Sequence, residues 1–398
     1  MSKNISTTPP VSCTLCPRRC GADRAAGQTG FCGAGGTLKA ARAALHFWEE
    51  PCISGTRGSG TVFFSGCTLK CCFCQNYPIS AEGLGKEITI EHLAEIFLGL
   101  QEQGAHNINL VTPSQWRPWI IAALDIARAE GLRLPIVCNT GGYETVESVE
   151  AWRGSIDIWL ADLKYVSSSL SAELSSAPDY FAQARLAIEA MMAQAGHPVF
   201  DSEGILQKGV ILRHLALPGH IEDSFAVLDQ MAAWNEADPG CFIPSVMSQY
   251  TPWGRAAAFP PLDRPLRKSE IRGAEQYMAN LGLEGFTQGA EAAGHQVTTF
   301  FLEELDLHGC RGCFGGHSSQ PCPCVQKDDM AEILDKMVAA DVIVLATPVY
   351  FYTMDGQMKT LIDRTVPRYT EMTDKEFYYI MTAADTERAN LEKTVEGL

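Results

Sequence analysis

Short apolar runs alternate with amphipathic stretches between residues 60 and 250. The runs are rich in β-branched and aromatic residues and read GTVFFSG, NINLVT, PIVCNT, IDIWLADL, GVILRHLAL and FIPSVMSQY. Between them, residues 90–103 place Ile90, Leu93 and Phe97 on one face, and residues 117–130 follow a similar pattern, so both predict helices. Strands that alternate with helices predict an α/β fold with a parallel sheet. Six such strands predict a partial (β/α)6 barrel, with its functional residues at the C-terminal ends of the strands.

The pattern changes after a Pro-rich stretch at 259–266 and a helix predicted near 268–281. Beyond a join near 283–290, the sequence predicts a helix at 288–294, a strand HQVTTFFL, a Cys-rich loop at 309–325, a helix at 328–340, a strand DVIVLAT, a helix at 355–365 and a strand EFYYIMTAA. A chain of 398 residues suits two domains, because single cores stop growing near roughly 250–300 residues. We predict a Cys-rich metal-binding extension at 1–45, the barrel at 46–285 and an incomplete second α/β domain at 286–398.

The charge balance argues against nucleic acid as a partner. The chain has 47 acidic and 31 basic residues, a net charge of -16, whereas phosphate backbones are bound by clustered Lys and Arg. The N-terminus has no signal-peptide pattern, and no apolar run approaches the roughly 18 residues that span a bilayer. We expect a soluble, cytoplasmic protein with neither nucleic acid nor membrane as a partner.

Fifteen cysteines are the main chemical signal, and eleven of them, not counting Cys72, form three groups, at 13–32, 67–74 and 310–324. Tight spacings of this kind, without a secretion signal, predict metal binding rather than disulfides. Cys52, Cys138 and Cys241 are interpreted as small buried hydrophobes, and Cys72 as a bystander within its motif.

The central group, Cys67-x3-Cys71-x2-Cys74, directly follows the first predicted strand. Three thiolates can hold three irons of a [4Fe-4S] cluster and leave the fourth iron open to a substrate. The alternative, a structural zinc knuckle, would need a fourth ligand nearby.

This spacing resembles that of the radical S-adenosylmethionine (SAM) superfamily. The resemblance implies that the open iron binds the amino and carboxylate groups of SAM, and that one electron cleaves the sulfonium to methionine and a 5'-deoxyadenosyl radical. Further motifs narrow this resemblance to one group within the superfamily. They lie at the ends of later predicted strands and read Cys-Asn-Thr-Gly-Gly at 138–142, Asp-Leu-Lys at 162–164 and Arg-His-Leu-Ala-Leu-Pro-Gly at 213–219. Over about residues 12–288 the chain resembles relatives of pyruvate formate-lyase activating enzymes, notably an uncharacterised branch with a Cys-rich N-terminus.

The resemblance implies seven residues that contact SAM: Phe73, Thr112, Asn139, Thr140, Asp162, Lys164 and Arg213. Leu-Val-Thr-Pro-Ser at 110–114 departs from the Gly-Gly-Glu turn of many family members, which weakens the side-chain roles of Thr112 and Ser114. No catalytic residue is assigned beyond the cluster ligands. The hydrogen-atom donor would be an unknown protein or small molecule, with a protein glycyl residue as the family-based choice. Flavodoxin or ferredoxin is the expected electron donor.

The N-terminal group, Cys13-x2-Cys16-x3-Cys20-x11-Cys32, lies in a stretch with little apolar content. Metal binding can supply the missing folding energy. Zinc and an auxiliary iron-sulfur cluster both accept four thiolates, and four free thiols are the remaining alternative.

The segment TPVYFYTMDGQMKTLIDRT at 347–365 resembles NAD(P)H-dependent FMN reductases and iron-sulfur flavoproteins, which have a flavodoxin-like doubly wound sheet. The resemblance implies that Pro348, Val349, Tyr350 and Phe351 lie against the FMN ring. A further set of cysteines, Cys310, Cys313, Cys322 and Cys324, resembles the cluster loop of the flavoproteins, with Gly316 where a third Cys is expected. Either a [4Fe-4S] site or a vestigial loop would fit, and His317 is interpreted as a solvated loop residue.

Nothing before FTQGAEAAGH supplies the apolar strand and Gly/Ser/Thr-rich loop that normally bind the FMN phosphate. The chain also stops at Leu398, where relatives would continue. We therefore expect weak or no FMN binding by this segment alone; a truncated gene, a fusion artefact or completion by a partner chain would each explain the gap. The sequence favours a radical SAM enzyme, with an NAD(P)H-dependent iron-sulfur flavoprotein oxidoreductase, or a zinc-binding scaffold, as alternatives.

Overall fold

The computed structural model describes residues 7–287, 298, 300–313, 324–350, 353–373 and 375–382. The chain forms two compact units, Met1–Gly294 and His295–Leu398. The helix predicted at 288–294 and four residues interpreted above, Gly316, His317, Cys322 and Phe351, lie outside the described residues.

The first unit is built around one large sheet. Its strands are β1 Lys39–His46, β2 Ser59–Phe64, β3 Lys86–Glu87, β4 Ile108–Val111, β5 Ile136–Thr140, β6 Ile158–Asp162, β7 Val199–Phe200, β8 Leu206–Leu215, β9 Ile243–Met247 and β10 Phe286–Thr287. Its helices are α1 Pro51–Ser54, α2 Tyr77–Ser80, α3 Ile90–Glu102, α4 Arg117–Ala129, α5 Val146–Ala151, α6 Ser168–Ser175, α7 Tyr180–Ala195, α8 Ile221–Ala237 and α9 Lys268–Asn280.

The strand order is β10-β9-β8-β6-β5-β4-β2-β1-β3, with β7 paired to β8. All pairs from β2 to β10 along this path are parallel. The six predicted strands are therefore present, and the α/β class with a large parallel sheet is confirmed. Because these strands run in one direction, their C-terminal ends share one edge of the sheet.

The antiparallel edge strand β1 was not predicted. Its sequence, KAARAALH, has few β-branched residues, yet it pairs with β2 from Ala40 opposite Phe64 to His46 opposite Ser59. Pairing along an existing strand outweighed weak local propensity here.

The sheet has two different faces. One packs against the helices through a large core that includes Trp116, Phe97 and Ile188. The other carries a separate apolar cluster of Cys52, Ile53, Val137, Ile158, Leu160, Leu206 and Ile211. On this second face Glu49 bonds Asn109 of β4 and Arg213 of β8, although β5 and β6 lie between those strands. The second face is therefore concave.

The second unit contains a small sheet of order β12-β11-β13 in its described part. Its elements are β11 Val342–Tyr350, β12 Thr353–Met354, β13 Glu376–Thr382, α10 Met330–Ala339 and α11 Gly356–Asp363. β11 and β13 are parallel, and Ile343 and Leu345 pack with the helices. The predicted strand HQVTTFFL is wrong where it is described: Thr298, Phe300 and Phe301 are not in a strand, and Leu302 begins a 3-10 turn. Aromatic and β-branched residues form strands only where a partner strand lies alongside.

Within the described residues, we find no helix with the length and apolar character that crossing a membrane requires.

Candidate functional site

The loop that carries Cys67, Cys71 and Cys74 begins where β2 ends, at the C-terminal edge of the sheet. The turn after β4 anchors its first residues, because the Gln115 side-chain amide donates to the carbonyls of Ser65 (3.1 Å) and Gly66 (3.0 Å). The Trp116 indole also donates to Ser65, at 2.9 Å. Two neighbouring strand ends are thus tied together at the start of the cysteine loop.

Each of the three sulfurs accepts a hydrogen bond. The Leu69 N–H donates to Cys67 Sγ (3.4 Å), the Ser175 hydroxyl to Cys71 Sγ (2.9 Å) and the Ser80 hydroxyl to Cys74 Sγ (3.4 Å). Donors aimed at sulfur stabilise thiolates, the form that binds metals.

Burial acts against the thiolate form. It raises the pKa of Cys67 to about 12, with the neighbouring Cys71 and Cys74 acting in the same direction. Burial also raises the pKa of Cys71, although the Lys164 ammonium and the Ser175 hydroxyl oppose that shift. Buried thiols of this kind need a cation to become thiolates at neutral pH, and a metal centre supplies that charge.

In the described part of the chain, no three His, Cys, Asp or Glu side chains surround one point closely enough to hold a single metal ion. A [4Fe-4S] cluster makes a different demand, because each cysteine binds a different iron. Among the described residues, fourteen cysteines are free thiols, and Cys52, Cys138 and Cys241 are buried as predicted.

An ion-pair network lies at the ends of β5, β6 and β8. Asp162 accepts from Lys164 Nζ at 2.6 Å and from Arg213 Nε at 2.8 Å, and Arg213 also donates to Asn139 Oδ1 at 2.7 Å. Burial would raise the pKa of Asp162, but the charges of Arg213 and Lys164 outweigh it and hold that pKa below its ordinary value. The structure thus brings together four of the residues implied to contact SAM, and Lys164 joins them electrostatically to Cys71.

Two acidic residues of this interior were missed by the sequence reasoning. Glu49 accepts from Asn109 (3.1 Å), Asn139 (3.2 Å) and Arg213 (3.1 Å). Glu50 lies deeper, accepts from Ser245 at 2.9 Å, and has a pKa that burial raises despite the Arg213 charge. Two adjacent acids in an apolar stretch, FWEEPCI, were the signal available in the sequence.

Thr140 and Ser114 are engaged by a buried carboxylate rather than turned toward the ion-pair network. Glu144 accepts from the hydroxyls of Thr140 (2.9 Å), Ser148 (3.0 Å) and Ser114. Burial raises the pKa of Glu144, and these three hydroxyl donors oppose that shift. The hydroxyl proton of Thr140 is therefore directed at Glu144, which leaves its oxygen free only to accept.

Thr112 lies in the turn after β4, and Phe73 lies within the cysteine loop. Thr112 has φ of 56°, an unusual value for a β-branched residue, and its N–H donates to the Asn139 carbonyl at 2.9 Å. Phe73 is buried, with its ring centroid 6.1 Å from that of Tyr250. Ser175 and Gln115, which bond the loop directly, carried no signal in the sequence pattern.

In the N-terminal group, Cys13, Cys16 and Cys32 are buried and Cys20 is exposed. In the second unit, Cys310 and Cys313 are exposed, and Cys324 Sγ accepts from Arg364 at 3.4 Å. Pro348 and Val349 are half-buried and Tyr350 is exposed, all at the end of β11.

Residues 281–393 match the family model of NADPH-dependent FMN reductases. An iron-sulfur flavoprotein of Archaeoglobus fulgidus is 36% identical over 83 residues, which cover 21% of this chain and 40% of that protein. One of Methanosarcina thermophila is 39% identical over 77 residues, 19% and 39% of the respective chains. The chain therefore spans about two fifths of the length of these flavoproteins, and the predicted likeness of the C-terminal segment to this group is confirmed.

Over the N-terminal part, an uncharacterized protein of Methanocaldococcus jannaschii is 26% identical over 280 residues, which cover 69% of this chain and 76% of that protein. Among solved structures, methylornithine synthase overlaps 57% of this chain and 64% of its own, with a TM-score of 0.38 and 17% identity.

Proposed function

We propose that the first unit is a radical SAM enzyme with a partial-barrel fold, in which Cys67, Cys71 and Cys74 bind a [4Fe-4S] cluster. The observation that carries the proposal is their setting: three free thiols, each accepting a hydrogen bond, follow a strand end of a concave parallel sheet, and Lys164 interacts electrostatically with Cys71. Three thiolates leave one iron of a cubane without a protein ligand. When bound, the cluster supplies the electron that cleaves SAM to methionine and a 5'-deoxyadenosyl radical.

The residues of this chain would bind and orient SAM. Lys164 and Arg213 carry charges that complement a carboxylate, while Asp162 and Asn139 offer oxygens to an ammonium or ribose hydroxyl. Their mutual ion pairs hold these groups ready before SAM enters. Phe73, next to Cys74, offers an apolar surface to the adenine. The proposed hydrogen-atom donor is a protein glycyl residue.

The test is SAM cleavage by the anaerobically reconstituted protein. After loading with iron and sulfide and reduction with dithionite, the protein should form 5'-deoxyadenosine from SAM. Cys71→Ala should abolish this product, because it removes one ligand. Cys72→Ala, the adjacent buried cysteine outside the spacing, should retain both iron and cleavage. Equal losses in the two variants, or no product from the parent protein, would contradict the proposal.

A second candidate is an NAD(P)H-dependent iron-sulfur flavoprotein oxidoreductase, which the match of residues 281–393 favours. In that case the cysteine groups would only relay electrons. Stoichiometric bound FMN and NAD(P)H oxidation, without SAM cleavage, would support this candidate over the first.

A further inference from the structure

The four N-terminal cysteines are arranged around one small region. A Cβ at Gly30 would lie 2.9 Å from Cys20 Sγ and 3.7 Å from Cys32 Sγ, so both sulfurs flank that backbone position. Cys13 exchanges two backbone hydrogen bonds of 3.1 Å with Gly21 and Ala22, which places it beside Cys20. Four thiols that come this close, without a disulfide, repel one another once they are ionised.

Two tight turns carry three of these cysteines. The Arg19 N–H donates to the Cys16 carbonyl at 3.1 Å in the first turn, and the Gly33 N–H donates to the Gly30 carbonyl at 2.9 Å in the second. Left-handed residues shape the two turns, with φ of 39° at Arg19 and 81° at Gly33. Cys16 and Cys20 therefore flank one tight turn, and Cys32 lies in the other.

The segment that carries the four N-terminal cysteines is hydrogen-bonded directly to the Cys67–Cys74 loop. The Cys67 N–H donates to the Cys32 carbonyl at 3.2 Å, so one hydrogen bond joins a cysteine of each group. At Gly66, a Cβ would lie 2.3 Å from that carbonyl oxygen, and the backbone there has φ of 83°. Only glycine permits this approach.

Arg18 makes the second connection. Its guanidinium donates to the carbonyls of Thr68 (2.9 Å), Ser175 (3.0 Å) and Ser176. Thr68 adjoins Cys67, and the Ser175 hydroxyl bonds Cys71 Sγ. Arg18 therefore joins the turn between Cys16 and Cys20 to the surroundings of two sulfurs in the central group.

We infer that Cys13, Cys16, Cys20 and Cys32 bind an iron-sulfur cluster, in which each cysteine binds a different iron, and that this centre holds the Cys67–Cys74 loop in its cluster-binding conformation through the Cys32 carbonyl and Arg18. The connection to the Cys67–Cys74 loop rests on the proposed function. The metal replaces the thiol protons and removes the repulsion among four thiolates, so the turn that presents Arg18 becomes rigid only when the site is filled. Arg18 is a positioning residue.

The metal site is tested in Cys71→Ala protein, so that an intact central triplet does not contribute. The protein is reconstituted anaerobically with Zn²⁺ alone or with iron and sulfide, and bound metal is measured. Cys71→Ala should retain metal that is lost in the Cys71→Ala/Cys20→Ser double variant, because the second change removes a ligand of the N-terminal site. Cys20 is chosen because it is exposed and can be replaced without leaving a void in the core. Metal retained after loading with iron and sulfide supports the cluster, whereas metal retained only after loading with Zn²⁺ overturns it. Cys71→Ala/Cys241→Ser is the control, and equal metal in all three variants overturns the site.

The connection is tested with Arg18→Gln against Arg185→Gln, a change in an exposed helical ion pair. Arg18→Gln should keep the N-terminal metal but alter the electron paramagnetic resonance spectrum of the reduced protein, and slow 5'-deoxyadenosine formation by about tenfold. Arg18→Lys should recover only part of the rate, because its single nitrogen cannot reach the three carbonyls that the planar guanidinium contacts through three nitrogens. Parent-like spectrum and rate in Arg18→Gln overturn the connection. If the parent itself cleaves no SAM, the proposed function fails while the metal measurement still decides the site.

Discussion

At the scale of single residues, the charged side chains buried inside the first unit are stabilised by opposite charges and hydrogen-bond partners. The Glu49 and Arg213 side chains are 10% and 12% exposed, yet each meets several polar partners. Removing one member of such a set leaves the others desolvated without compensation, which costs more than the intact interaction contributes. Glu49 is therefore expected to orient Arg213 and Asn139 for binding.

Glu49→Gln tests this role. The substitution keeps the shape but removes the charge opposite Arg213, and places an NH2 donor against either Arg213 or the donating amides of Asn109 and Asn139. We expect the free energy of unfolding to fall by about 2 kcal/mol, together with weaker SAM cleavage, as measured by urea unfolding and product formation. Glu203→Gln, whose partner Arg57 lies 3.6 Å away on the surface, should change stability by less than about 0.5 kcal/mol. Equal effects at the two positions would contradict the role of Glu49.

At the scale of elements, α9 fixes the loop that follows β8. Glu270, in the first turn of α9, accepts from the N–H groups of Gly219 (2.7 Å) and Arg267 (2.7 Å) and from Arg264. The Arg264 hydrogen bond lowers the pKa of Glu270 to about 2, against a burial effect that would raise it. One carboxylate thus caps a helix and holds the loop after a strand of the site.

The pH dependence of stability follows from this lowered pKa. The contribution of Glu270 is complete above its ordinary pKa of 4.5 and is lost as the pH falls toward about 2. Glu270→Gln should reduce the unfolding free energy at pH 7 by about 1 kcal/mol, since Arg264 is partly solvated. The difference from the parent should shrink as the pH is lowered through this range. A difference that stays constant from pH 7 to pH 2.5 would show that the charge of Glu270 does not matter.

At the scale of the whole molecule, the two units have separate cores. The core of the second unit comprises Met330, Ile333, Leu334, Ile343, Leu345, Met354, Met358 and Leu361. Asp328 and Arg364 form an ion pair at 2.6 Å with both side chains 1% exposed, and Arg364 also donates to the His308 carbonyl. This pair links the segment before α10 to the end of α11.

Asp328→Asn should therefore destabilise the second unit alone. It leaves the Arg364 charge buried without its partner, at a cost of about 3 kcal/mol. Hydrogen exchange followed by mass spectrometry should show faster exchange in α10 and β11, with β5 and β6 unchanged. Asp363→Asn, in an exposed pair with Lys359, is the control. Faster exchange in β5 and β6 would refute the separation of the cores.

Much of the fold was predictable from the chain alone. The six parallel strands, α3, α4 and α9, and β11, α10, α11 and β13 follow the apolar periodicity closely. Local patterns predict an element correctly where it buries one face against a neighbour, because that burial imposes the helical or strand spacing of its apolar residues. They failed for β1, whose pairing depends on β2, and for Thr298, Phe300 and Phe301, where strand-forming residues have no strand alongside in the described structure.

The sequence by itself determined the chemistry available: three thiols at a strand end, four near the N-terminus, and polar residues at later strand ends. Only the tertiary structure decided how they are partnered. Glu49 bonds a residue 164 positions away, and Ser175 bonds Cys71 across 104 positions. Spacing along the chain predicts which groups share a turn or a strand end. Contacts across the concave sheet depend on its curvature and strand order, which no local pattern contains.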